Sequence, residues 1–466
     1  MIAARFHLCA LALLLGGCAA VPTDLPEAQI APPESYRADL PPAGMDGVWW
    51  RAFSDPVLDA LVDRGLAANL DIAAAEGRLA AAEALLRAER ADRLPTIDGS
   101  AEASVDVGEG TSRTGASAGL FGTFDPDFSG RLRAEVRAAA ARYAEAGYIR
   151  ADQRRLIAAA IAAQYVEYRR TGAQLELLAE STDLQRQTLR IVTLRFEAGL
   201  SANLDVRRAA ADLAQTEARL GLIEIARAQA AHALAILVGE APGTLVIAEP
   251  ESETTIPNYG DGPPLGGPAN LLRRRGDVLA AEARLAAAAA QVGIEQSDLR
   301  PSLVVPGSII IGDGSIDGLF SEFLATLGAA LDLPLFDGGR RRAEVAAARA
   351  ELDASLAEYR QAFLEALGEA ETALVAITAY RARAGSLSEA IEQSETALGQ
   401  SNALYREGLA SLFDVLDAQR QLISSRESLL DNEAALANAF IALHSAAASP
   451  DGEAVAASAG GAPPPQ

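Results

Sequence analysis

The chain has 466 residues, of which 50% are hydrophobic, and its 63 acidic residues outnumber its 40 basic residues to give a formal net charge of −23. Every basic residue is an arginine, because the sequence contains no lysine. Since phosphate binding needs a basic face, this acidic composition argues against nucleic acid as a partner. The sequence also lacks a P-loop, which argues against a transporter that hydrolyses nucleotide itself.

The N-terminus has the features of a bacterial lipoprotein signal. Arg5 gives a short positive region, and residues 8–15 are an apolar run too short to cross a bilayer stably. The sequence LGGC that ends at Cys18 resembles a lipobox, which predicts that residues 1–17 are cleaved and that Cys18 receives lipid. A plain secretory signal that contains a cysteine is the alternative. Residues 18–47 are rich in proline and predict a lipidated, extended tether.

The folded part begins with two adjacent tryptophans, Trp49 and Trp50, which predict a hydrophobic plug that docks the tether onto the body. Apolar residues then recur at three and four residues over 56–93, which predicts a helix that Pro95 ends. The period changes to strict alternation over 97–107. Such alternation is typical of a strand with one apolar and one polar face.

Each half of the chain offers one hairpin of strands. A turn at 108–113 and a weaker strand over 116–124 complete a hairpin over about 96–124. The second half repeats this pattern over about 301–336, with a loop at 312–318. Strands of this length suit a transmembrane barrel.

Long helices account for most of the remaining chain. Residues 130–197 and 339–407 contain no proline and would each extend about 100 Å as helices. Shorter helices return over about 203–237 and 412–443. The predicted fold class is therefore mainly α with a small membrane β-barrel portion: very long helical hairpins form a periplasmic tunnel, and each chain contributes four strands to a shared barrel.

Two segments lie outside these helices and strands. Residues 242–268 are expected to pack around the waist of the tunnel, and residues 447–466 are expected to be disordered because they are rich in alanine, glycine and proline.

The two halves are a tandem duplication. Residues 196–206 are FEAGLSANLDV and residues 405–415 are YREGLASLFDV, and the repeats extend over about 56–240 and 266–446. Pseudo-symmetric chains commonly assemble into rings. Four strands also leave two open edges that cannot face lipid, so at least two copies must close the barrel.

Over about 48–446 the chain resembles the TolC-like outer-membrane efflux factors, in particular their lipoprotein branch of the OprM and NodT type. The resemblance rests on the two turn motifs and on three further segments, WWRAFSDPVLDALV, LRRRGDVLAAEARLAAAAAQVG and PLFDGGRRRAEV. It implies a homotrimer, lipid-anchored in the outer membrane of a Gram-negative bacterium and extending into the periplasm.

The resemblance also implies a function and partners. The chain would be the passive exit duct of a tripartite efflux pump that exports small molecules such as drugs or other toxic compounds. Its partners would be a periplasmic adaptor protein, a proton-driven inner-membrane transporter of the RND type and outer-membrane lipid. A duct for type I protein secretion and a structural periplasmic lipoprotein without a pore are the alternatives, and the strand alternation at 97–107 argues against the second.

The resemblance places Asp205, Tyr405, Asp414 and Asp417 at the narrow periplasmic end of the tunnel. Asp414 and Asp417 are three residues apart and share a helix face, so a symmetric ring of their carboxylates would attract cations. Asp205 starts the first returning helix, where an aspartate also caps free N–H groups, so a cap and a gate role both remain open for it. Tyr405 matches a position that hydrogen-bonds across neighbouring hairpins in the family.

The turns at the tips are expected to contact the adaptor through Gly199, Leu200, Gly408 and Leu409. Both glycines suit a tight turn because glycine tolerates positive φ.

The chain departs from the family pattern at two positions. Gly276 stands where the family usually carries proline, which predicts a looser helix start. Ala410 stands where some relatives have a basic gate residue, which argues against a salt-bridged latch at that position.

No active site or metal site is expected, and the only expected prosthetic group is the lipid on Cys18. Residues 115–119 match G-x-S-x-G but lie in a predicted strand rather than at a strand-to-helix elbow. Residues 313–318 resemble half of a calcium loop, yet Leu324 stands where the bidentate glutamate belongs.

One cluster of cations remains. Arg340, Arg341 and Arg342 begin a predicted helix, where positive charges oppose the helix dipole. Contact with lipid headgroups would explain them, and a solvated cluster is the alternative.

Overall fold

The computed structural model describes residues 33, 35–36, 48–108, 111–248, 256–257, 259, 274–311 and 323–447. The predicted signal peptide, Cys18, the loop at 312–318 and residues 448–466 of the predicted tail lie outside the described residues.

The first helical segment consists of a short 3₁₀ helix (Trp49–Phe53), α1 (Pro56–Ala68) and α2 (Leu70–Ala91). The prediction of a single helix over 56–93 is wrong at Asn69, whose ψ is 133°. The side-chain oxygen of Asn69 accepts hydrogen bonds from the backbone N–H groups of Asp71 and Ile72 at 2.9 and 3.1 Å, as an N-cap residue does. Its amide nitrogen donates to the carbonyl of Leu237 at 2.9 Å. The helix therefore restarts at a point that is fixed by a distant part of the chain.

Within the described residues, five strands form one antiparallel sheet. They are β1 (Thr96–Gly108), β2 (Thr111–Phe124), β3 (Ser302–Ile311), β4 (Phe323–Leu327) and β5 (Ala330–Asp332), in the order β1-β2-β3-β4 with β5 also paired to β3. The two predicted hairpins are present, and β2 begins five residues earlier than predicted. The predicted fourth strand is interrupted between β4 and β5, where the N–H of Gly328 bonds the carbonyl of Pro306 at 2.9 Å.

The strand register gives the sheet two chemically different faces. Ile97 lies opposite Gly122, Gly122 opposite Gly307, and Gly307 opposite Leu327. Because side chains alternate along each strand, this register places a mainly apolar set of residues on one face and the acidic residues of β1 on the other, where Phe121, Ile310 and Leu324 also lie. The apolar face includes Ile97, Val105, Leu120, Ile309 and Leu327, and the polar face includes Asp98, Glu102, Ser117, Ser308 and Thr326.

The remaining elements are helices that extend far from the sheet. They are α3 (Arg131–Glu197), α4 (Asn203–Leu237), α5 (Gly276–Ser297), α6 (Arg340–Glu407) and α7 (Leu412–Ala447). The bounds of α3, α4, α6 and α7 lie within a few residues of the predicted ones. With 67 residues, α3 is about 100 Å long. Near the sheet α3 packs against α2 and α5, and farther away it packs against α4 and α7.

The main core lies midway along the molecule and contains the predicted plug. Trp49, Trp50 and Phe53 are buried there together with residues of α3 and α7. The ring of Trp49 stacks on His444, with 5.9 Å between the ring centroids, and Tyr259 stacks on Phe440 at 4.3 Å. Tyr259 belongs to the segment predicted to pack around the waist, and it is buried together with residues 256–257 of the same segment.

A buried polar network fastens the plug to α3. One carboxylate oxygen of Asp55 accepts hydrogen bonds from the first turn of α1, and the other accepts from the Tyr165 hydroxyl at 2.8 Å and the Arg169 guanidinium at 3.0 Å. Each carboxylate oxygen of Asp55 thus accepts two hydrogen bonds, as a buried charge requires. The N-terminal segment is therefore held by polar contacts as well as by apolar burial.

Candidate functional site at the helical tips

The two helical hairpins end in turns of the same geometry. Gly199 has a φ of 70° and Gly408 a φ of 75°, the left-handed conformation predicted for both. The N–H of Leu200 bonds the carbonyl of Arg195 at 2.8 Å, and the N–H of Leu409 bonds that of Leu404 at the same distance. Both turns are Schellman motifs, so the duplication is retained in individual hydrogen bonds.

Each tip presents uncovered apolar side chains. Leu200 is 68% exposed and Leu409 is 72% exposed, and Leu204 and Phe413 are also more than half exposed. These four residues occupy matching positions in the two halves of the chain. The three leucines are called the tip leucines below and are named together with Phe413.

The two returning helices begin differently. The Ser411 N–H and hydroxyl both donate to Asp414, at 2.9 and 2.7 Å, and these bonds hold the pKa of Asp414 below its usual range. Ala202 occupies the corresponding N-cap position in the first hairpin and makes no side-chain cap. Asp205 forms no capping hydrogen bond with the described chain, so the cap considered for Asp205 is found at Asp414. The spacing Ser-x-x-Asp at 411–414, which Asp205 lacks, is the sequence signal that distinguishes them.

Asp414 and Asp417 lie on the same exposed side of α7, whereas Val415 and Leu416 between them are buried. Among the described residues Asp417 forms an ion pair only with Arg420, at 3.5 Å, and its side chain remains 66% exposed. The carboxylates of this pair therefore point away from the chain's own core.

Tyr405 lies at the contact between the two hairpins. The Arg195 guanidinium donates to the Tyr405 carbonyl at 3.2 Å and lies 4.8 Å from the centroid of its ring. Burial raises the pKa of Tyr405, the positive charge of Arg195 opposes this shift, and the negative charge of Asp205 adds to it. The structure thus places Arg195 in contact with Tyr405, and the carboxylate of Asp205 acts on the tyrosine through its charge. No hydrogen bond or ion pair among the described residues joins Asp414 or Asp417 to this group.

Sequence reasoning missed Arg195. It stands just before the first turn motif, and its counterpart in the second half is the apolar Leu404. A charge at a position that is apolar in the duplicate is the signal that could have identified it. Since Ala410 has no charged group, Arg195 rather than residue 410 supplies the polar link at this tip.

Polar contacts continue this link along the hairpins. The Gln419 amide of α7 donates to the Thr188 hydroxyl of α3 at 3.0 Å, and both groups are buried. Arg219 of α4 pairs with Glu427 of α7 at 2.6 Å. Together with a buried apolar cluster that includes Val192 and Val415, these contacts hold the two hairpins of one chain side by side.

The arginine run at the start of α6 has partners of its own. Asp337 accepts hydrogen bonds from the N–H groups of Gly339 and Arg341 at 2.9 and 3.2 Å, and Arg340 pairs with Glu344 at 2.7 Å. The carboxylate of Asp337 therefore offsets the positive charge at this helix start. Arg342 is exposed and forms no ion pair with the described residues.

The expectation of a loose helix start at Gly276 is wrong. Gly276 is buried against α3, and a Cβ atom there would lie 2.8 Å from the Tyr148 carbonyl oxygen. The preceding Arg275 pairs with Asp277 at 2.5 Å and with Glu369 of α6 at 2.6 Å. Because Gly276 has no side chain, α5 can approach α3 closely at this point. The ion pairs of Arg275 lie next to this contact.

Within the described residues, no group of three or more histidine, cysteine or acidic side chains is placed to hold a metal ion. The G-x-S-x-G segment lies inside β2, as predicted, with Ser117 opposite Glu102.

A family model for outer membrane efflux proteins matches residues 61–240 and 267–449, in two segments that correspond to the two halves of the duplication. The pyoverdine export outer membrane protein OpmQ of Pseudomonas aeruginosa is 31% identical over 451 residues, which cover 93% of this chain and 94% of that protein. Nodulation protein T of Rhizobium leguminosarum bv. trifolii is 30% identical over 428 residues, covering 90% of this chain and 91% of that protein.

Solved structures agree with this relationship over nearly the full fold. The outer-membrane channel OprN superposes with a TM-score of 0.82 at 29% identity and covers 92% of this chain and 99% of its own. The outer membrane protein VceC of Vibrio cholerae superposes with a TM-score of 0.79 at 27% identity, covering 88% of this chain and 100% of its own.

Proposed function

Because this chain belongs to the outer membrane efflux protein family of Gram-negative bacteria, we propose that it is the passive exit duct of a tripartite efflux pump. The protein is an outer membrane channel with a helical tunnel and a β-barrel part. The observation that best supports the duct is the two-faced sheet, because an apolar face toward lipid and a polar face toward water are what a pore wall needs.

The duct is a homotrimer. β1 and β4 each have one free edge within the described sheet, and such edges in a membrane require other copies to close the barrel. On α4, Leu222 is 69% exposed and an 18-residue window has a mean hydropathy of 1.4. A neighbouring helical hairpin would cover this apolar surface.

The tip leucines and Phe413 are the docking surface for a periplasmic adaptor. Exposed apolar side chains on turns of fixed geometry suit an apolar partner. The adaptor in turn connects the duct to a proton-driven inner-membrane transporter of the RND type, which supplies small toxic molecules such as drugs.

Efflux is favoured over type I protein secretion by the names of the relatives. They include outer membrane proteins of pyoverdine export, a toluene efflux pump and a cation efflux system. The range of these cargoes leaves the substrate of this chain open.

Planar-bilayer recording of the full-length trimer tests the proposal. We expect discrete channels whose closed state is held by contacts such as that of Arg195 with Tyr405. A trimer that stays silent under every voltage, pH and salt condition would contradict the duct and favour a structural lipoprotein.

The gate is tested by a double substitution. Asp414→Ala with Asp417→Ala removes the exposed carboxylates of α7, and cation selectivity should fall because a ring of these charges concentrates cations at the entrance. Asp205→Ala is the comparison, since Asp205 lies at the contact between hairpins. Reversal potential across a salt gradient is the measurement, and unchanged selectivity in an intact double-variant trimer would place the constriction elsewhere.

A further inference from the structure

A cavity of about 420 Å³ lies where the ends of α2 and α5 meet the start of α3, and we call it the arginine pocket. Four of its lining residues are Arg93, Arg133, Arg137 and Arg300, and none is a carboxylate. A pocket lined in this way is unusual on a chain whose net charge is −23.

Two of the four guanidinium groups have no partner among the residues that the structure describes. Arg133 donates to Asp127 at 2.9 Å, and Arg300 donates to the neutral carbonyl of Ser129 at 3.3 Å. Arg93 and Arg137 form no hydrogen bond or ion pair with any residue of the described chain. The pocket therefore keeps a positive charge that the described chain does not neutralise.

One acidic residue of α3, Glu135, lies on the side of the helix opposite to the pocket arginines. Arg133 and Arg137 are four residues apart and share one face of the helix, whereas Glu135 between them points away from it. Burial is the main cause that raises the pKa of Glu135. Its partner Arg131 opposes the shift, and the charges of Glu89, Asp298 and Asp92 add to it. Arg137 therefore faces away from the nearest carboxylate of its own helix.

The pocket lies at the rim of the membrane sheet. Arg93 comes just before β1, which begins at Thr96, and Arg300 comes just before β3, which begins at Ser302. Because the helices extend from this end of the strands into the periplasm, the rim lies at the depth of the periplasmic leaflet's headgroups. Arginine binds phosphate oxygens with two parallel hydrogen bonds, which suits the groups found at that depth.

We propose that the arginine pocket binds the phosphate group of an anionic phospholipid in the periplasmic leaflet. The site goes beyond export, because it concerns how the duct is held at a fixed depth in the membrane. It also differs from the headgroup contact expected at Arg340–Arg342, where Asp337 and Glu344 already pair with two of the three arginines.

The test uses the full-length trimer in detergent after the bound lipid has been exchanged away. Native mass spectrometry then measures binding of phosphatidylglycerol and of a diacylglycerol, which lacks the phosphate. Arg93→Gln with Arg137→Gln removes the two unpaired guanidinium groups. Arg78→Gln with Arg383→Gln is the matched control, because it removes the same charge from exposed arginines of α2 and α6.

We expect phosphatidylglycerol to bind about tenfold more weakly to the pocket variant, as the loss of charge-assisted hydrogen bonds predicts, and the control to bind like the wild type. Diacylglycerol should bind equally weakly to all three proteins. Should the glutamine pair fail to form trimers, Arg93→Lys with Arg137→Lys keeps the charges and should retain most of the binding.

Equal binding of phosphatidylglycerol by the wild type and an intact pocket variant would overturn the proposal, as would loss of binding in the control. Binding of inorganic phosphate is the last measurement. If inorganic phosphate binds to the wild type but not to the pocket variant, and phosphatidylglycerol binds no more tightly than diacylglycerol, the pocket takes a soluble anion and the headgroup assignment is wrong.

Discussion

Ser411 has no counterpart in the first half of the chain, where Ala202 stands at the same place in the turn motif. Its hydroxyl and N–H donate to Asp414, and the second returning helix therefore begins with a side-chain cap. The first returning helix begins without one. The two hairpins share a backbone turn, but their aspartates are not equivalent.

Ser411→Ala should move the titration of the gate to higher pH. The hydrogen bonds from Ser411 lower the pKa of Asp414 in the folded protein. The carboxylate therefore stays charged in the pH range where an ordinary aspartate takes up a proton, and it loses its charge only at a lower pH. Without the hydroxyl, the pKa rises toward its usual value. Cation selectivity should then disappear at a higher pH than in the wild type, measured by reversal potentials between about pH 6 and pH 3. Ser388→Ala, an exposed serine of α6, is the control, and coincident titrations of all three proteins would contradict the prediction.

Arg195→Gln should raise the conductance of the closed channel. It removes a cation–π contact and a hydrogen bond to Tyr405, each worth about 1 kcal/mol, so closed-state leakage should rise several-fold. Tyr405→Phe keeps both the ring and the carbonyl and should leak less. Equal leakage from both variants would contradict the prediction, because the tyrosine hydroxyl would then contribute as much as Arg195 to holding the tips closed.

At this scale the sequence located the tips but not the contacts within them. Both turn glycines followed from the duplicated motif, because positive φ is a property of a single residue. Arg195 could not be placed beside Tyr405 by periodicity, since that contact joins two hairpins that are far apart in the chain.

At the scale of the elements, three separate segments meet at His444. The Trp49 ring stacks on it, the Tyr259 hydroxyl hydrogen-bonds to its Nε2, and α7 carries it. Burial lowers the pKa of His444 to about 4. The neutral imidazole is therefore part of the packed waist.

The trimer should lose stability as the pH falls from about 6.5 to about 4. In this range His444 takes up a proton in the unfolded chain but stays neutral in the folded chain. The full effect is roughly 3 kcal/mol. Thermal unfolding in detergent against pH is the measurement, and His444→Gln should flatten the curve in this window. His232→Gln, at an exposed histidine of α4, should behave like the wild type, and a wild type without acid sensitivity in this range would exclude the mechanism.

Gly276→Ala should destabilise the contact between α5 and α3. The added methyl group would lie within 3 Å of three atoms of Tyr148 and Asp152, and overpacking of this kind costs about 1–3 kcal/mol. Gly77→Ala is the control, because nothing lies within 4 Å of that position in α2 and alanine favours helix. Thermal unfolding of both trimers is the measurement. Equal stability of Gly276→Ala and the wild type would contradict the prediction and show that α5 can move to accommodate the methyl group.

The long helices were predictable from long stretches without proline, and the strands from alternation of apolar and polar residues, because both are properties of the local sequence. The break at Asn69 was not, since the apolar spacing continues through it and its amide is fixed by the carbonyl of Leu237 at the end of α4. The division of the last strand into β4 and β5 likewise depends on pairing with β3. What periodicity misses here is set by partners that are distant in sequence.

On the scale of the whole molecule, two attachments to the membrane are expected, the sheet and the lipid on Cys18. Cys18→Ser should abolish the lipid and slow assembly, yet leave the trimer in the membrane, because acyl chains bind far more weakly than a closed barrel. Membrane fractionation and detection of the acyl chains by mass spectrometry are the measurements. A variant found wholly in the soluble periplasmic fraction would contradict the membrane role of the sheet.

The pairing of β2 with β3 has a consequence for the order of folding. These strands are neighbours in the sheet, yet α3, α4 and α5 lie between them in the chain. The hairpin of β1 and β2 can form from local contacts, but its next strand arrives only after the helical part of the first repeat has been completed. Such long-range pairing is slow, and an unpaired strand edge is prone to aggregate while it waits. The residues of α3, α4 and α5 are therefore exported before β3, and the edge of β2 needs protection from aggregation until β3 reaches it.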